Sequence, residues 1–158
     1  MMEMNKEAMK FEKVLNDYIN DNHLLNHALP MPGLYAITVD NHIAYIGSST
    51  NVFRTGKNII WDAMNGLYFT FGREMNLGFL FTLIEEGKHR VDVQLIEYSY
   101  ENDLNEWAQA WIDDIKPPLN SFCDDKDDEV LLEEINKMPI IVVETKGTKE
   151  IIHVEKVD

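Results

Sequence analysis

The pattern of apolar and polar positions predicts a β-hairpin over residues 34–46. Both of its arms are rich in β-branched and aromatic side chains, a composition typical of strands. Asp40 and Asn41 separate the arms, and both residue types tolerate the left-handed backbone angles of a tight turn. The second arm ends at Gly47, and any of residues 48–51 (Ser, Ser, Thr, Asn) could cap a following helix.

Periodicity along the rest of the chain predicts further helices and strands. Helical spacing predicts helices over residues 3–25, 51–66 (interrupted by Gly56), 79–86, 103–115 and 124–135, and alternation predicts a central strand over 90–98 and a second hairpin from the runs 139–143 and 150–157. Residues 67–78 could form a loop, a short strand or an inserted element. Periodicity alone therefore predicts a domain of mixed α and β structure.

The composition restricts the class of protein. A chain of 158 residues with 45% hydrophobic residues can bury the core of one domain with extensions. No stretch approaches the ~20 apolar residues of a membrane span, and the N-terminus does not resemble a signal peptide. Cys123 is the only cysteine, which excludes an internal disulfide and a cysteine-based metal site and favours a reducing cytosol. We therefore expect a cytoplasmic protein with no membrane partner.

The charge balance argues against direct binding to nucleic acid. The chain carries 28 acidic and 14 basic residues, a formal net charge of −14. Nucleic-acid binding draws much of its affinity from Lys and Arg that neutralise phosphates. Acidic residues also outnumber basic ones within residues 32–121, so the imbalance is not confined to the ends of the chain. Solubility is an alternative general explanation of such a charge, but it does not remove the conflict with nucleic-acid binding.

Two tripeptides in the first hairpin resemble the signature of the GIY-YIG nuclease superfamily. They are Gly-Leu-Tyr at residues 33–35 and Tyr-Ile-Gly at residues 45–47. The downstream sequences at residues 111–113 (Trp-Ile-Asp) and 116–120 (Lys-Pro-Pro-Leu-Asn) are similar to the close of the family's domain. The resemblance covers residues 32–121.

The resemblance implies an α+β fold with a small, mainly antiparallel sheet flanked by helices. Residues 1–31 would then be an N-terminal helical extension, and residues 122–158 an acidic helix and β-hairpin extension. In this family, cleavage uses two tyrosines, an arginine, a glutamate and one divalent metal such as Mg²⁺. A closing asparagine supports the site.

Three of these roles match residues of the chain, since Tyr35 and Tyr45 correspond to the tyrosines and Asn120 to the asparagine. The arginine position falls on Thr55, and the glutamate position falls on Ala108.

The nearest residues of the right type are displaced along their helices. Arg54 lies one residue early, which is a rotation of ~100° about a helix, and Glu106 lies two residues early, which is ~200°. A small irregularity could bring Arg54 back to the site, but Glu106 should face the other way. Without both partners, Tyr35 and Tyr45 are better explained as packing residues of the sheet.

These substitutions favour a catalytically degenerate GIY-YIG-like protein that acts by binding a protein. An acidic protein can occupy the nucleic-acid groove of a basic enzyme by presenting carboxylates in place of phosphates. The candidate binding residues are Asp124, Asp125, Asp127 and Asp128. A phage or mobile-element inhibitor of a host nucleic-acid-binding enzyme, of the anti-restriction or anti-CRISPR type, would have this character.

Two alternatives belong to other functional classes. The first is a diverged, metal-dependent endonuclease that cleaves DNA or RNA with Tyr35, Tyr45, Arg54, Glu106 and Asn120. The second is a scaffold or oligomerisation module, in which the N-terminal helix and the C-terminal hairpin are the working parts.

Overall fold

The structure, a computed structural model, describes residues 24–26, 30–64, 77–100, 103–120 and 127–157. Within these residues, one six-stranded sheet is the central element of the fold. The sheet is antiparallel except where its first strand runs parallel to the fourth. Helices flank it, so the expected α+β class with a mainly antiparallel sheet is confirmed.

The elements alternate along the chain in short units. The strands are β1 (Leu24–Asn26), β2 (Gly33–Val39), β3 (His42–Ser49), β4 (Val91–Tyr98), β5 (Ile140–Lys146) and β6 (Lys149–Glu155). The helices are α1 (Val52–Met64), α2 (Leu77–Glu86), α3 (Leu104–Ile115) and α4 (Asp128–Asn136), with a 3₁₀ turn at Pro118–Asn120. The strand order across the sheet is β1-β4-β2-β3-β5-β6.

The predicted hairpin is confirmed as β2 and β3, with Asp40 and Asn41 at its turn. Both residues have positive φ angles, of 50° and 72°, as a two-residue turn between twisted antiparallel strands requires. All seven residues of β2 are buried, because β2 lies between β3 and β4 and is covered on both faces. The hairpin is therefore the centre of the core.

Two apolar layers enclose the sheet. On the first face, Tyr35, Ile37 and Val39 of β2 pack against residues of α1, α2 and α4. On the second face, Leu34 and Ala36 pack against α3 and the β5–β6 hairpin. Alternate side chains of a strand point to opposite faces, so one strand serves both layers.

Polar contacts that are buried or partly buried fix the β5–β6 hairpin at one corner of the sheet. The side chain of Asn41 donates to the backbone oxygen of Ile141. The Nε2 atom of Gln94 lies 2.8 Å from both Thr38 Oγ1 and Asn41 Oδ1. β5 pairs with β3 only at His42 and Ile140, and this polar cluster secures the connection.

Asp40 joins the turn to the loop before β4. Its carboxylate accepts hydrogen bonds from the Arg90 amide at 2.9 Å and from His89 Nδ1 at 2.6 Å. Partial burial alone would raise the pKa of Asp40, but these hydrogen bonds outweigh it and hold that pKa below its usual value.

The helix predicted over residues 3–25 is wrong at its end, because Leu24 and Leu25 lie in β1. There Leu24 pairs with Val93 and Asn26 pairs with Gln94 of β4, so a long-range contact overrides the helical spacing. Residues 3–23 lie outside the described residues. Gly56 does not interrupt α1, which runs through it without a break. Among the described helices, none is long and apolar enough to cross a membrane.

Candidate functional site at the tyrosine pair

Tyr35 and Tyr45 lie on neighbouring strands, as the hairpin prediction required. Their ring centroids are 6.3 Å apart, and the ring planes are tilted by 36°. Tyr35 is only 3% exposed, whereas Tyr45 is half-buried. Both side chains lie on the first face of the sheet, within the apolar layer formed with α1, α2 and α4.

Gly47 lies directly beneath the phenol of Tyr35, its cross-strand partner. A Cβ atom at position 47 would be 2.5 Å from Tyr35 Oη and 2.6 Å from Tyr35 Cζ. Real Cβ atoms essentially never lie this close to another side chain, so any larger residue at position 47 would force the ring or the strand to move. The glycine of the second tripeptide thus has a packing role in this chain.

The buried phenol of Tyr35 is a poor general base. Burial raises its pKa far above the usual value, and the charge and hydrogen bond of the neighbouring Tyr45 raise it further. The group therefore stays neutral at physiological pH. A phenol that cannot ionise donates a hydrogen bond but does not take a proton from water.

The start of α1 is built from hydroxyl and amide side chains. Asn51 caps the helix, since its Oδ1 atom accepts from the Arg54 amide at 3.0 Å. The hydroxyl oxygens of Ser49 and Thr55 lie 2.6 Å apart. Thr55 occupies the position where the resemblance implies an arginine, and the side chain of Arg54 is exposed.

Asn120 fastens the 3₁₀ turn to the outer edge of β3. Its Oδ1 atom accepts from the Ile46 amide at 2.9 Å, and its Nδ2 atom donates to the Ile46 oxygen at 2.9 Å. The side-chain amide thus replaces the backbone of a neighbouring strand, directly beside Tyr45. Asn120 therefore holds the 3₁₀ turn against β3; the supporting role in a site that the resemblance implies stays a prediction.

The helix that carries Glu106 covers the other face of the sheet. Ala108 is buried there with Leu34, Ala36 and Ile96. Glu106 is exposed, as expected from a rotation of ~200° between the two positions. Neither position faces the tyrosines, so the structure does not bring Glu106 to Tyr35 and Tyr45.

The described residues do not fit a divalent metal beside the tyrosines. No group of three or more His, Cys, Asp or Glu side chains suited to a metal occurs within the described ranges. The carboxylate considered for this role, Glu106, is on the opposite side of the sheet. A hard cation such as Mg²⁺ prefers oxygen ligands, and phenol rings in an apolar layer do not replace them.

The candidate binding aspartates fall in two groups. Asp127 and Asp128 are exposed, at the N-terminus of α4. Asp124 and Asp125 lie outside the described residues.

One link between β3 and α3 was missed by sequence reasoning. Ser48 Oγ donates to Asn105 Oδ1 at 2.8 Å, and a small cleft opens there between residues 48–50 and the start of α3. The run of three hydroxyl residues predicted only a helix cap. A contact between residues so distant in sequence leaves no local signal.

Comparisons with models of known protein families, with curated protein sequences and with solved structures gave no match to this chain.

Proposed function

We propose that this chain is a GIY-YIG-like domain that does not cleave nucleic acid and acts by binding a protein. The observation that carries the proposal is the separation of the family's catalytic positions. Tyr35 and Tyr45 lie in an apolar layer on one face of the sheet, while Ala108 is buried on the other. A glutamate restored at position 108 would therefore be separated from the tyrosines by the sheet.

The neutral, enclosed state of Tyr35 supports the same conclusion. Hydrolysis of a phosphodiester needs a group that activates water and a cation that stabilises the developing charge. Tyr35 is 3% exposed and its pKa is raised, so substrate cannot reach it without opening the core. The tyrosine pair is therefore a packing unit in this account.

The partner is proposed to be a basic nucleic-acid-binding enzyme, because one helix on each face, α3 and α4, carries only acidic charges, whereas α1 carries Arg54 and Lys57. Within α3 these are Glu106, Asp113 and Asp114, all exposed. Within α4 they are Asp128, Glu129, Glu133 and Glu134. A negatively charged surface attracts a positively charged groove and repels the phosphates of nucleic acid.

The setting that suits such a protein is the cytosol of a cell infected by a phage or mobile element. An acidic inhibitor would there oppose a host restriction enzyme or RNA-guided nuclease. The lone Cys123 agrees with a reducing compartment.

The experiment is a binding assay against a panel of purified restriction endonucleases and RNA-guided nucleases. We expect at least one complex that DNA displaces and that weakens as salt is raised, since contacts between exposed charges are screened. Asp127→Asn/Asp128→Asn should weaken it by about tenfold, because two exposed charges are removed and asparagine is as well suited as aspartate to the N-cap position.

The matched control is Glu85→Gln/Glu86→Gln, which removes the same charge from exposed positions at the end of α2. This variant should change the affinity by less than the α4 variant. Binding that is unaffected by either variant would argue against charge mimicry. Failure to bind any member of the panel, together with cleavage of DNA by the chain itself, would favour the endonuclease alternative.

A further inference from the structure

We propose that β6 pairs with β6 of a second copy, so that two sheets join into one across a twofold axis. The sheet has two edge strands. β1 is three residues long and its register with β4 is irregular. β6 is seven residues long and pairs with β5 without a bulge along its whole length. The inference is independent of the proposed protein-binding function.

The free edge of β6 lacks two of the features that block association at strand edges, a proline and a bulge. The charged residues that it does carry, Lys149, Glu150 and Glu155, favour partners of opposite sign in any such pairing. Among the described strands, none pairs with the side of β6 that faces away from β5. Ile151, Ile152 and Val154 are only half-buried. A long, regular and partly apolar edge presents unpaired N–H and C=O groups that another strand can satisfy.

The sequence of β6 is complementary to itself in the antiparallel direction. When the twofold axis passes through Ile152, the register places Lys149 opposite Glu155 of the second copy, and the symmetry repeats this pair. Opposite charges in facing positions stabilise an antiparallel pair. Ile152 then lies opposite its own counterpart on one face of the joined strands, and the two charge pairs lie on the other face.

A slip of one residue is unfavourable. In one direction it brings Glu150 opposite Glu155 of the second copy, and like charges in facing positions are destabilising. A slip in either direction also exchanges the two faces of the added strand. The chain therefore favours the register centred on Ile152.

The dimer is expected to be weak. Pairing along one strand buries less than the roughly 1,200–2,000 Å² of a standard interface. Each copy also carries a net charge of −14, which opposes approach at low salt. We expect dissociation in the micromolar range, so that concentration controls the population of dimer.

The experiment is sedimentation equilibrium of the full chain over a concentration series that reaches about 1 mM, at about 0.15 M salt. The mass should rise from monomer to dimer. Lys149→Glu and Glu155→Lys should each weaken the dimer by about tenfold, because each replaces two attractive pairs with two repulsive ones. The double variant Lys149→Glu/Glu155→Lys restores both pairs and should recover the original affinity.

Two control variants separate this effect from net charge. Lys146→Glu on β5 changes the net charge by the same amount as Lys149→Glu. Glu133→Lys on α4 changes it by the same amount as Glu155→Lys. Positions 146 and 133 are both exposed. These variants should change the affinity much less than the β6 variants. Far-ultraviolet circular dichroism of each variant establishes that it is folded.

Hydrogen exchange supplies a second measurement on the unmodified chain. Amides of β6 that point away from β5 should become protected as concentration rises, while amides of β1 should not. A chain that remains monomeric throughout the series would overturn the proposal. So would a dimer that the charge-swapped double variant fails to restore, or one whose β6 amides exchange at a rate independent of concentration.

Discussion

Gly47→Ala is expected to destabilise the protein by forcing apart two groups that are already in contact. The added Cβ atom would lie 2.5 Å from Oη, 2.6 Å from Cζ and 2.9 Å from Cε1 of Tyr35. Tyr35 is 3% exposed and lies against Tyr45, so its ring cannot swing into solvent. Either the ring or the strand must move.

The cost follows from overpacking of a filled core. Such substitutions typically cost about 1–3 kcal/mol. For a chain of this size, each kcal/mol lowers Tm by about 2–4 °C, so the expected decrease is about 2–12 °C. Urea unfolding followed by tryptophan fluorescence gives the free energy of unfolding directly.

The reasoning is tested most sharply by changing the residue above the glycine. Tyr35→Phe removes Oη but keeps Cζ, so Gly47→Ala should remain costly in that background. Tyr35→Leu removes the distal ring atoms, so Gly47→Ala should cost at least about 1 kcal/mol less there, as for directly coupled neighbours. Equal costs in the wild-type and Tyr35→Leu backgrounds would refute the packing role assigned to Gly47.

Three further predictions concern the supports of the hairpin. Asn120→Ala removes two hydrogen bonds to the β3 backbone. It should lower the free energy of unfolding, measured with urea, by about 1–3 kcal/mol. A decrease smaller than a few tenths of a kcal/mol would show that water replaces the amide without loss. Asn51→Ala should lower the free energy of unfolding by about 0.5–2 kcal/mol because the α1 cap is lost, whereas Asn51→Asp should be nearly neutral. Equal Tm values for the two variants in thermal unfolding would contradict the capping role. Asp40 has a lowered pKa in the folded chain, so its stabilising effect is present above the unfolded value of about 3.9 and is lost as the pH falls through the folded value. Asp40→Asn should therefore be less stable than the wild type at neutral pH, and the difference should shrink below about pH 4; a difference that stays constant down to about pH 2 would contradict this.

Local chemistry allowed the central hairpin to be predicted from sequence. Asp40 and Asn41 adopt the left-handed conformation that their side chains tolerate. The alternation in β4 and the turn at Gly147 likewise reflect interactions between near neighbours. In each case the signal lies within a few residues of the structure that it predicts.

Long-range pairing explains what could not be predicted. β1 exists because Leu24 pairs with Val93 of a strand far along the chain. The position of β5 depends on contacts between Asn41, Gln94 and Ile141. Helical periodicity shows that a helix has a buried side but not which partner that side meets.

The same limit applies to the candidate site. Hairpin spacing was sufficient to predict that Tyr35 and Tyr45 are neighbours, and helix geometry predicted that Glu106 and Ala108 point in different directions. Neither could predict that α3 covers the face opposite the tyrosines. Which face α3 covers depends on the order of all the strands in the sheet. The position of α3 is also the strongest argument against a catalytic role for Glu106.

The most direct test of a domain that binds protein without cutting nucleic acid is a cleavage assay. Labelled DNA and RNA, single-stranded and duplex, are incubated with Mg²⁺ or Mn²⁺ and either the wild type or Tyr35→Phe/Tyr45→Phe. The account predicts no cleavage above background by either protein. Cleavage by the wild type that the double tyrosine substitution abolishes would contradict it, because the tyrosine pair would then be catalytic.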